Sequence, residues 1–124
     1  MALTLDLEST EGIAIGIAHG SLTLNEIKES AEAMWRVVRG PEIRVLWDLR
    51  DARFDLSQTE VRDLAEFIKA LAPEAELRTA FVAAQDLEFG LLRMFEMHRE
   101  TEGAQTSVFR DKGRALEWLR NDAA

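Results

Sequence analysis

The sequence predicts an α/β domain in which an opening β-hairpin is followed by repeated strand–helix units. Segments typical of strands alternate with amphipathic helical segments from residue 13 to the end of the chain. Two helical segments begin with the Thr/Ser-x-x-Glu pattern of a capping box. Because strand–helix alternation forms parallel sheets with right-handed crossovers, we expect a mostly parallel five-stranded sheet with four helices. No linker or low-complexity segment interrupts the sequence, so residues 1–124 are expected to form a single domain.

The opening hairpin is predicted from two short strand-like segments. Residues 3–7 alternate leucine with polar side chains, residues 9–12 supply a turn, and residues 13–18 form the second strand. The second strand carries isoleucines on one face and only alanine and Gly16 on the other. We therefore expect another element to approach this small face closely.

The remaining elements follow from apolar periodicity and from residues that cap or break helices. They are a helix from the Thr23 cap to the Gly40–Pro41 break, a strand at 43–50, a helix from the Ser57 cap to residue 71, a strand at 79–84, a helix from the Asp86 cap to about residue 103, a strand at 106–110, and a short helix capped by Asp111. Gly90 lies inside the third helix, where glycine costs about 1 kcal/mol relative to alanine, so we expect close packing there.

The composition limits the classes of partner. The net charge is −8, which repels phosphate backbones, so no nucleic-acid partner is expected. The chain has no cysteine, which excludes disulfides and thiolate chemistry and fits a cytoplasmic location. The N-terminal residues do not form a signal peptide, and no apolar run reaches the roughly 20 residues that span a bilayer. We therefore expect a cytoplasmic protein without a membrane span.

The first candidate site is the polar loop after the strand at 43–50, because the carboxyl ends of parallel strands commonly bind ligands or partners. Ser57 is predicted to be a helix N-cap, and Thr59 lies in the first turn of the same helix. A phosphate on Ser57 would be favoured by the helix dipole but opposed by the neighbouring acidic side chains. A phosphosite or partner-binding loop is therefore a second hypothesis beside simple capping.

Three aspartates, Asp48, Asp51 and Asp55, lie around the same strand end. Three carboxylates could bind Mg²⁺ or Ca²⁺. However, Asp48 lies within the strand, where we expect its side chain to accept bonds from loop amides, and Arg50 and Arg53 are expected to neutralise the other two aspartates. Such structural networks are more common than metal sites. We therefore predict a structural ion-pair network and no metal site.

The third helix carries more apolar side chains than a single buried face needs. The candidate residues are Phe89, Leu92, Met94, Phe95 and Met97. Two interpretations stay open: a core helix that is covered on most sides, or a surface that forms a homodimer contact or a groove for an apolar small molecule.

No pattern in the sequence indicates catalysis. His19 and His98 have no second histidine or cysteine at the spacing of a zinc site. The chain also lacks a G-x-S-x-G elbow and a glycine-rich phosphate loop. We therefore predict no catalytic residues and no cofactor, and the protein is not expected to be an enzyme.

Three segments, residues 46–50, 89–96 and 108–119, together with the element order, resemble the STAS domain. That domain occurs in anti-sigma factor antagonists and in the tails of sulfate transporters, and this chain is most similar to small bacterial SpoIIAA-like proteins. The resemblance implies a STAS-like fold. In the antagonists a kinase phosphorylates a serine at the start of the helix after this strand, and the nearest position here is Ser57, without the glycines of that motif. The wider superfamily includes the CRAL-TRIO lipid-transfer fold.

These observations lead to two functional hypotheses. The first is a non-enzymatic regulatory module that binds a protein partner through the loop at residues 50–60 and the helix that follows it. The alternative is a small apolar-ligand or lipid-binding protein of the same fold. A binder needs unfilled volume, and Trp35, Trp47 and Phe81 are expected to fill the core and to disfavour it.

Overall fold

Strands and helices follow one another in the order ββαβαβαβα in a computed structural model, which describes residues 6–10, 12–38, 42–71, 76–99 and 104–120. The elements are β1 (Asp6–Thr10), β2 (Ile13–Ser21), α1 (Leu24–Val37), β3 (Glu42–Arg53), α2 (Gln58–Leu71), β4 (Glu76–Val82), α3 (Asp86–Arg99), β5 (Ala104–Phe109) and α4 (Lys112–Arg120). The predicted α/β class, the element order and the four helices are confirmed in this described part of the chain.

The strands form one sheet in the order β1-β2-β3-β4-β5. Neighbouring strands from β2 to β5 pair in parallel, whereas β1 pairs antiparallel with β2 at the edge. The parallel part of the sheet therefore has four strands rather than five. The difference arises from the hairpin, because a tight turn can join only antiparallel neighbours.

The hairpin turn is shorter than the sequence predicts. Ser9 and Thr10 belong to β1 and pair with β2, so the turn lies at Gly12, whose φ is 77°. Glycine accepts this left-handed conformation without steric cost. The leucines at positions 3 and 5, which contributed to the predicted first strand, lie outside the described residues.

Strand β3 is longer than predicted and continues through Asp51 to Arg53. Its last residues pair with the end of β2, where His19 lies beside Asp51 after an irregularity in the register. The sequence beyond Arg50 is polar and lacks the apolar run of a buried strand, so it gives no local signal for a strand. Residues 51–53 extend the strand because they pair with β2. Part of the predicted loop is therefore strand.

The two faces of the sheet are covered by different helices. On one face α4 packs closely against β3, β4 and β5, because Ala80 of β4 and Ala115 of α4 are small and fully buried. On the other face α1 packs on α2 and α2 packs on α3. This second layer rests on larger side chains, including those of Trp47 and Phe81.

The small face of β2 is packed as the sequence predicts. A Cβ added to Gly16 would lie 2.6 Å from the Trp47 ring and 2.9 Å from the Met34 methyl group. The ring of Trp47 therefore lies across the neighbouring strand, and α1 reaches the same point through Met34. The prediction of close packing at Gly90 is wrong, because Gly90 is exposed and a Cβ there would meet no atom within 4 Å.

These two glycines make a matched pair for measurement. Gly16→Ala forces Trp47 or Met34 to move, and we expect it to lower the free energy of unfolding by about 1–3 kcal/mol. Gly90→Ala adds a methyl group in open space on a helix, so we expect a gain of about 0.5–1 kcal/mol. Urea denaturation of both variants measures the two changes. Equal stability of the Gly16 variant and the wild type would contradict the packing described here.

Candidate functional site

The carboxyl end of β3 carries a buried carboxylate that is held by two cations. The side chain of Asp48 is 8% exposed. Arg50 donates from Nε to Oδ1 at 2.9 Å and from Nη2 to Oδ2 at 2.7 Å, and its amide donates to Oδ1 at 3.3 Å. Lys112 of α4 places its Nζ 3.6 Å from Oδ2. Asp48 thus joins β3 to the start of α4, and Arg50 pairs with Asp48 rather than with the neighbouring aspartates that it was expected to neutralise.

The charge state of Asp48 follows from these contacts. Burial alone raises the pKa of its carboxyl group, because a buried charge loses its hydration. The hydrogen bonds from Arg50 and the positive charges of Arg50 and Lys112 outweigh that effect and hold the pKa below its ordinary value. The bond to Asp48 in turn raises the pKa of Arg50. The group is therefore a firmly ionised anchor, whereas a general acid or base needs a pKa near the working pH.

The other two aspartates do not converge on Asp48. Asp51 and Asp55 are exposed, and Asp51 lies 3.8 Å from Nδ1 of His19. Across the residues that the structure describes, no three acidic or histidine side chains gather into a group that could hold a metal ion. The same residues contain no helix long and apolar enough to cross a membrane.

Ser57 caps α2 through both bonds of a capping box. The Glu60 amide donates to Ser57 Oγ at 3.1 Å, and the Ser57 amide donates to Glu60 Oε1 at 3.0 Å. The equivalent box of Thr23 and Glu26 caps α1. Both boxes confirm the prediction from sequence. Ser57 and Thr59 are exposed, so their side chains are accessible to a partner.

A buried acid that sequence reasoning missed holds the loop from the other side. Glu88, in the first turn of α3, is only 3% exposed, and its Oε2 accepts a hydrogen bond from the Phe54 amide at 3.2 Å. Its position in the first turn is electrostatically favourable. Acidic residues are common at such positions, so nothing in the sequence distinguishes Glu88 from an exposed one.

The apolar residues of α3 divide between the core and the surface. Leu92 and Phe95 are buried, so an exposed contact cannot use them. Phe89 and Met94 are half-buried, and Arg110 lies 4.3 Å from the centre of the Phe89 ring. Met97 is 76% exposed. A subunit contact through α3 would therefore use Met97 with Met94 and the exposed Leu87.

Asp86 differs from its predicted role as a helix cap. It is the first residue of α3, and the Phe89 amide donates to the carbonyl of Gln85, which precedes the helix. The carboxylate of Asp86 instead accepts a hydrogen bond from Arg110 at 2.8 Å. By contrast, Asp111 caps α4 as predicted, because its Oδ1 accepts from the Gly113 amide at 2.9 Å.

Between the sheet and the layer of α1, α2 and α3 lies an apolar cavity of about 110 Å³. Its walls include Trp35 of α1, Trp47 of β3, Phe81 of β4, and Leu92 and Phe95 of α3. Trp47 and Phe81 stay only half-buried although they belong to inner strands of the sheet. The aromatic residues that were expected to fill the core pack against it and also line this space.

The cavity adjoins the loop that carries Ser57. Phe54 and Leu56 are buried and line the cavity, while Asp55 between them and Ser57 after them are exposed. Because inward and outward side chains alternate along residues 54–57, this short segment contributes both to the cavity wall and to the exposed surface of the loop. A movement of Phe54 or Leu56 in the cavity wall therefore also moves the backbone of the loop.

Comparisons with known proteins agree on the architecture. An uncharacterised protein of the DUF3478 family with a SpoIIAA-like fold, from Shewanella loihica PV-4, matches with a TM-score of 0.63 and 21% identity, covering 96% of this chain and 95% of the other. The chain has a STAS/SpoIIAA-like fold. An anti-sigma factor antagonist from Mycobacterium paratuberculosis matches this SpoIIAA-like chain with a TM-score of 0.64 and 15% identity over the same shares. No protein-family model and no curated protein matches it.

The anchoring role of Asp48 can be measured by its removal. Asp48→Asn loses the carboxylate and leaves Arg50 and Lys112 without their counter-charge, so we expect a loss of about 2–4 kcal/mol of unfolding free energy at pH 7. Asp51→Asn, on the same strand but exposed, should change it by less than about 0.5 kcal/mol. Denaturant titration measures both, and equal effects of the two variants would contradict the anchor.

The difference between wild type and the Asp48→Asn variant should also depend on pH. The folded protein holds the pKa of Asp48 below the unfolded value, so its contribution is complete above the unfolded pKa. That contribution disappears as the pH falls through the folded pKa, where the carboxylate is protonated in both states. The stability gap should therefore be constant near neutral pH and shrink in strong acid.

Proposed function

We propose that this STAS-like protein is a non-enzymatic module that binds a small apolar molecule between its sheet and helices α1 to α3. The observation that supports the proposal is the cavity of about 110 Å³ lined by Trp35, Trp47 and Phe81. Protein interiors are normally packed as densely as organic crystals and leave few voids larger than a water molecule. A void of this size lowers stability unless a ligand fills it.

The size of the cavity indicates the size of the ligand. An apolar cavity of about 150 Å³ stays dry and binds benzene. Pockets for drug-sized ligands measure about 300–1,000 Å³. The space therefore suits a molecule near the size of one aromatic ring better than a long acyl chain. Of the two ligand classes predicted from the sequence, the small apolar molecule fits better than a lipid.

The lining also indicates the polarity of the ligand. Among the residues that the structure describes, none that lines the cavity is acidic or basic. A charged ligand would lose its hydration without meeting an opposite charge, which is strongly unfavourable. The ligand is therefore neutral under the conditions in which it binds.

Filling the cavity should abolish binding. Ala31 of α1 lines the cavity, whereas Ala33 of the same helix does not. The two positions lie about 200° apart around the helix, so Ala33→Leu is a matched control for Ala31→Leu. We expect Ala31→Leu to weaken binding of toluene at least tenfold and Ala33→Leu to leave it unchanged, as measured by a chemical-shift titration. Equal binding by both variants would show that toluene binds elsewhere, and binding of neither toluene nor phenol by the wild type would contradict the function.

The second candidate function is regulation through a protein partner. It is supported by the exposed side chains of Asp51, Asp55, Ser57 and Thr59 on a backbone that Asp48 and Glu88 hold in place. The structural match to an anti-sigma factor antagonist favours the same class of function. We also propose a cytoplasmic location, which the absence of cysteine supports. The homodimer through α3 stays a prediction, and light scattering over a range of concentrations measures it.

Ser57 offers a clean test of the loop surface. Aspartate is as good an N-cap as serine, so Ser57→Asp adds a charge while the helix cap and stability are retained. Ser57→Ala has the opposite effect, because it loses the cap at a cost of about 1 kcal/mol without adding charge. We expect only Ser57→Asp to weaken capture of the native partner in affinity purification followed by mass spectrometry. If both variants capture the partner as well as the wild type does, Ser57 caps the helix and takes no part in partner binding.

A further inference from the structure

Three of the described residues that line the cavity carry hydroxyl groups. They belong to Ser30 of α1, Thr79 of β4 and Thr106 of β5. The Ser30 hydroxyl is already used, because it donates to the carbonyl of Glu26 at 2.8 Å. Within the described ranges, the hydroxyls of Thr79 and Thr106 have no hydrogen-bond partner among other residues. The wall therefore has a satisfied hydroxyl on the helix side and two unused ones on the sheet side.

The two threonines are neighbours in space. Thr79 and Thr106 are paired residues of the parallel strands β4 and β5. Paired residues point to the same face of a sheet, and neighbouring strands lie about 4.8 Å apart. Thr79 is only 8% exposed, so its hydroxyl is largely cut off from bulk water. A single ligand atom placed between the two side chains would lie within reach of both hydroxyls.

We propose that the ligand carries one neutral hydrogen-bonding group, a hydroxyl or a carbonyl, which binds between Thr79 and Thr106 while its apolar body fills the rest of the cavity. Each threonine hydroxyl both donates and accepts, so either group finds a partner. A purely apolar ligand would cover both hydroxyls without giving either a hydrogen-bond partner, which is costly. The inference rests on the proposed function and refines it, because it names the polar group and the residues that select it.

Phenol and toluene provide matched probes for this site. Both have seven non-hydrogen atoms on one ring, and they differ only in a hydroxyl group against a methyl group. The measured quantity is the ratio of the phenol to the toluene dissociation constant, obtained by chemical-shift titration of the full chain. A change in this ratio reports the polar contact alone, because a change in cavity volume alters the affinity for both probes equally.

The variants remove one hydroxyl at a time. Thr79→Val and Thr106→Val replace the hydroxyl by a methyl group, keep the β-branched shape that suits a strand, and should fold normally. Ser30→Ala is the matched control, because it removes a cavity hydroxyl that is already bonded to its own helix. We expect each threonine variant to raise the phenol-to-toluene ratio about three- to tenfold, in line with the loss of one hydrogen bond. Ser30→Ala should leave the ratio within about twofold.

The outcomes separate this inference from the function on which it rests. If both probes bind and the threonine variants leave the ratio unchanged, the cavity function holds and the role of the threonine pair is refuted. If Ser30→Ala raises the phenol-to-toluene ratio as much as the threonine variants do, the role of the threonine pair is also refuted. If neither probe binds the wild type, the cavity function itself fails. A rise confined to Thr79→Val and Thr106→Val supports the proposal.

Discussion

The position of the Trp47 ring over Gly16 determines how the helical layer meets the sheet. The ring of Trp47 occupies the space that any side chain at position 16 would need, and Met34 of α1 contacts the same point. The ring therefore lies over β2 and does not fill the space above β3 and β4. On the opposite face α4 approaches the sheet closely through the small residues Ala80 and Ala115. The cavity is thus a consequence of unequal side-chain sizes on the two faces.

The carboxyl edge of the sheet is organised by two buried acids with different partners. Asp48 joins β3 to α4 through Arg50 and Lys112, and Glu88 joins α3 to the backbone at Phe54. Asp48 thus braces β3 against α4, and Glu88 holds the first residue of the segment between β3 and α2. Because the backbone is held, the exposed side chains of that segment keep a defined arrangement. The inward side chain of Phe54 belongs to the cavity wall, so the two candidate functions share one segment.

Features that depend on residues close in sequence could be predicted for this site. The capping box at Ser57 involves a residue three positions away, and the Asp48–Arg50 ion pair involves one two positions away. The contacts that were missed join distant residues. Glu88 meets Phe54 across 34 positions, and Lys112 reaches Asp48 from the last helix. No periodicity or local motif encodes such a pair, because it exists only after the elements have packed.

The sequence by itself determined the order of elements, the two capping boxes, the small face of β2 and the acidic character of the chain. Each of these follows from local propensity, from periodicity or from composition, which act within a few residues. Only the tertiary structure decided that Leu92 and Phe95 face inward, that β3 continues to Arg53, and that Trp35, Trp47 and Phe81 surround a space. Whether large side chains fill a core or enclose a void depends on the distance between layers, and that distance is set by contacts such as the one between Trp47 and Gly16.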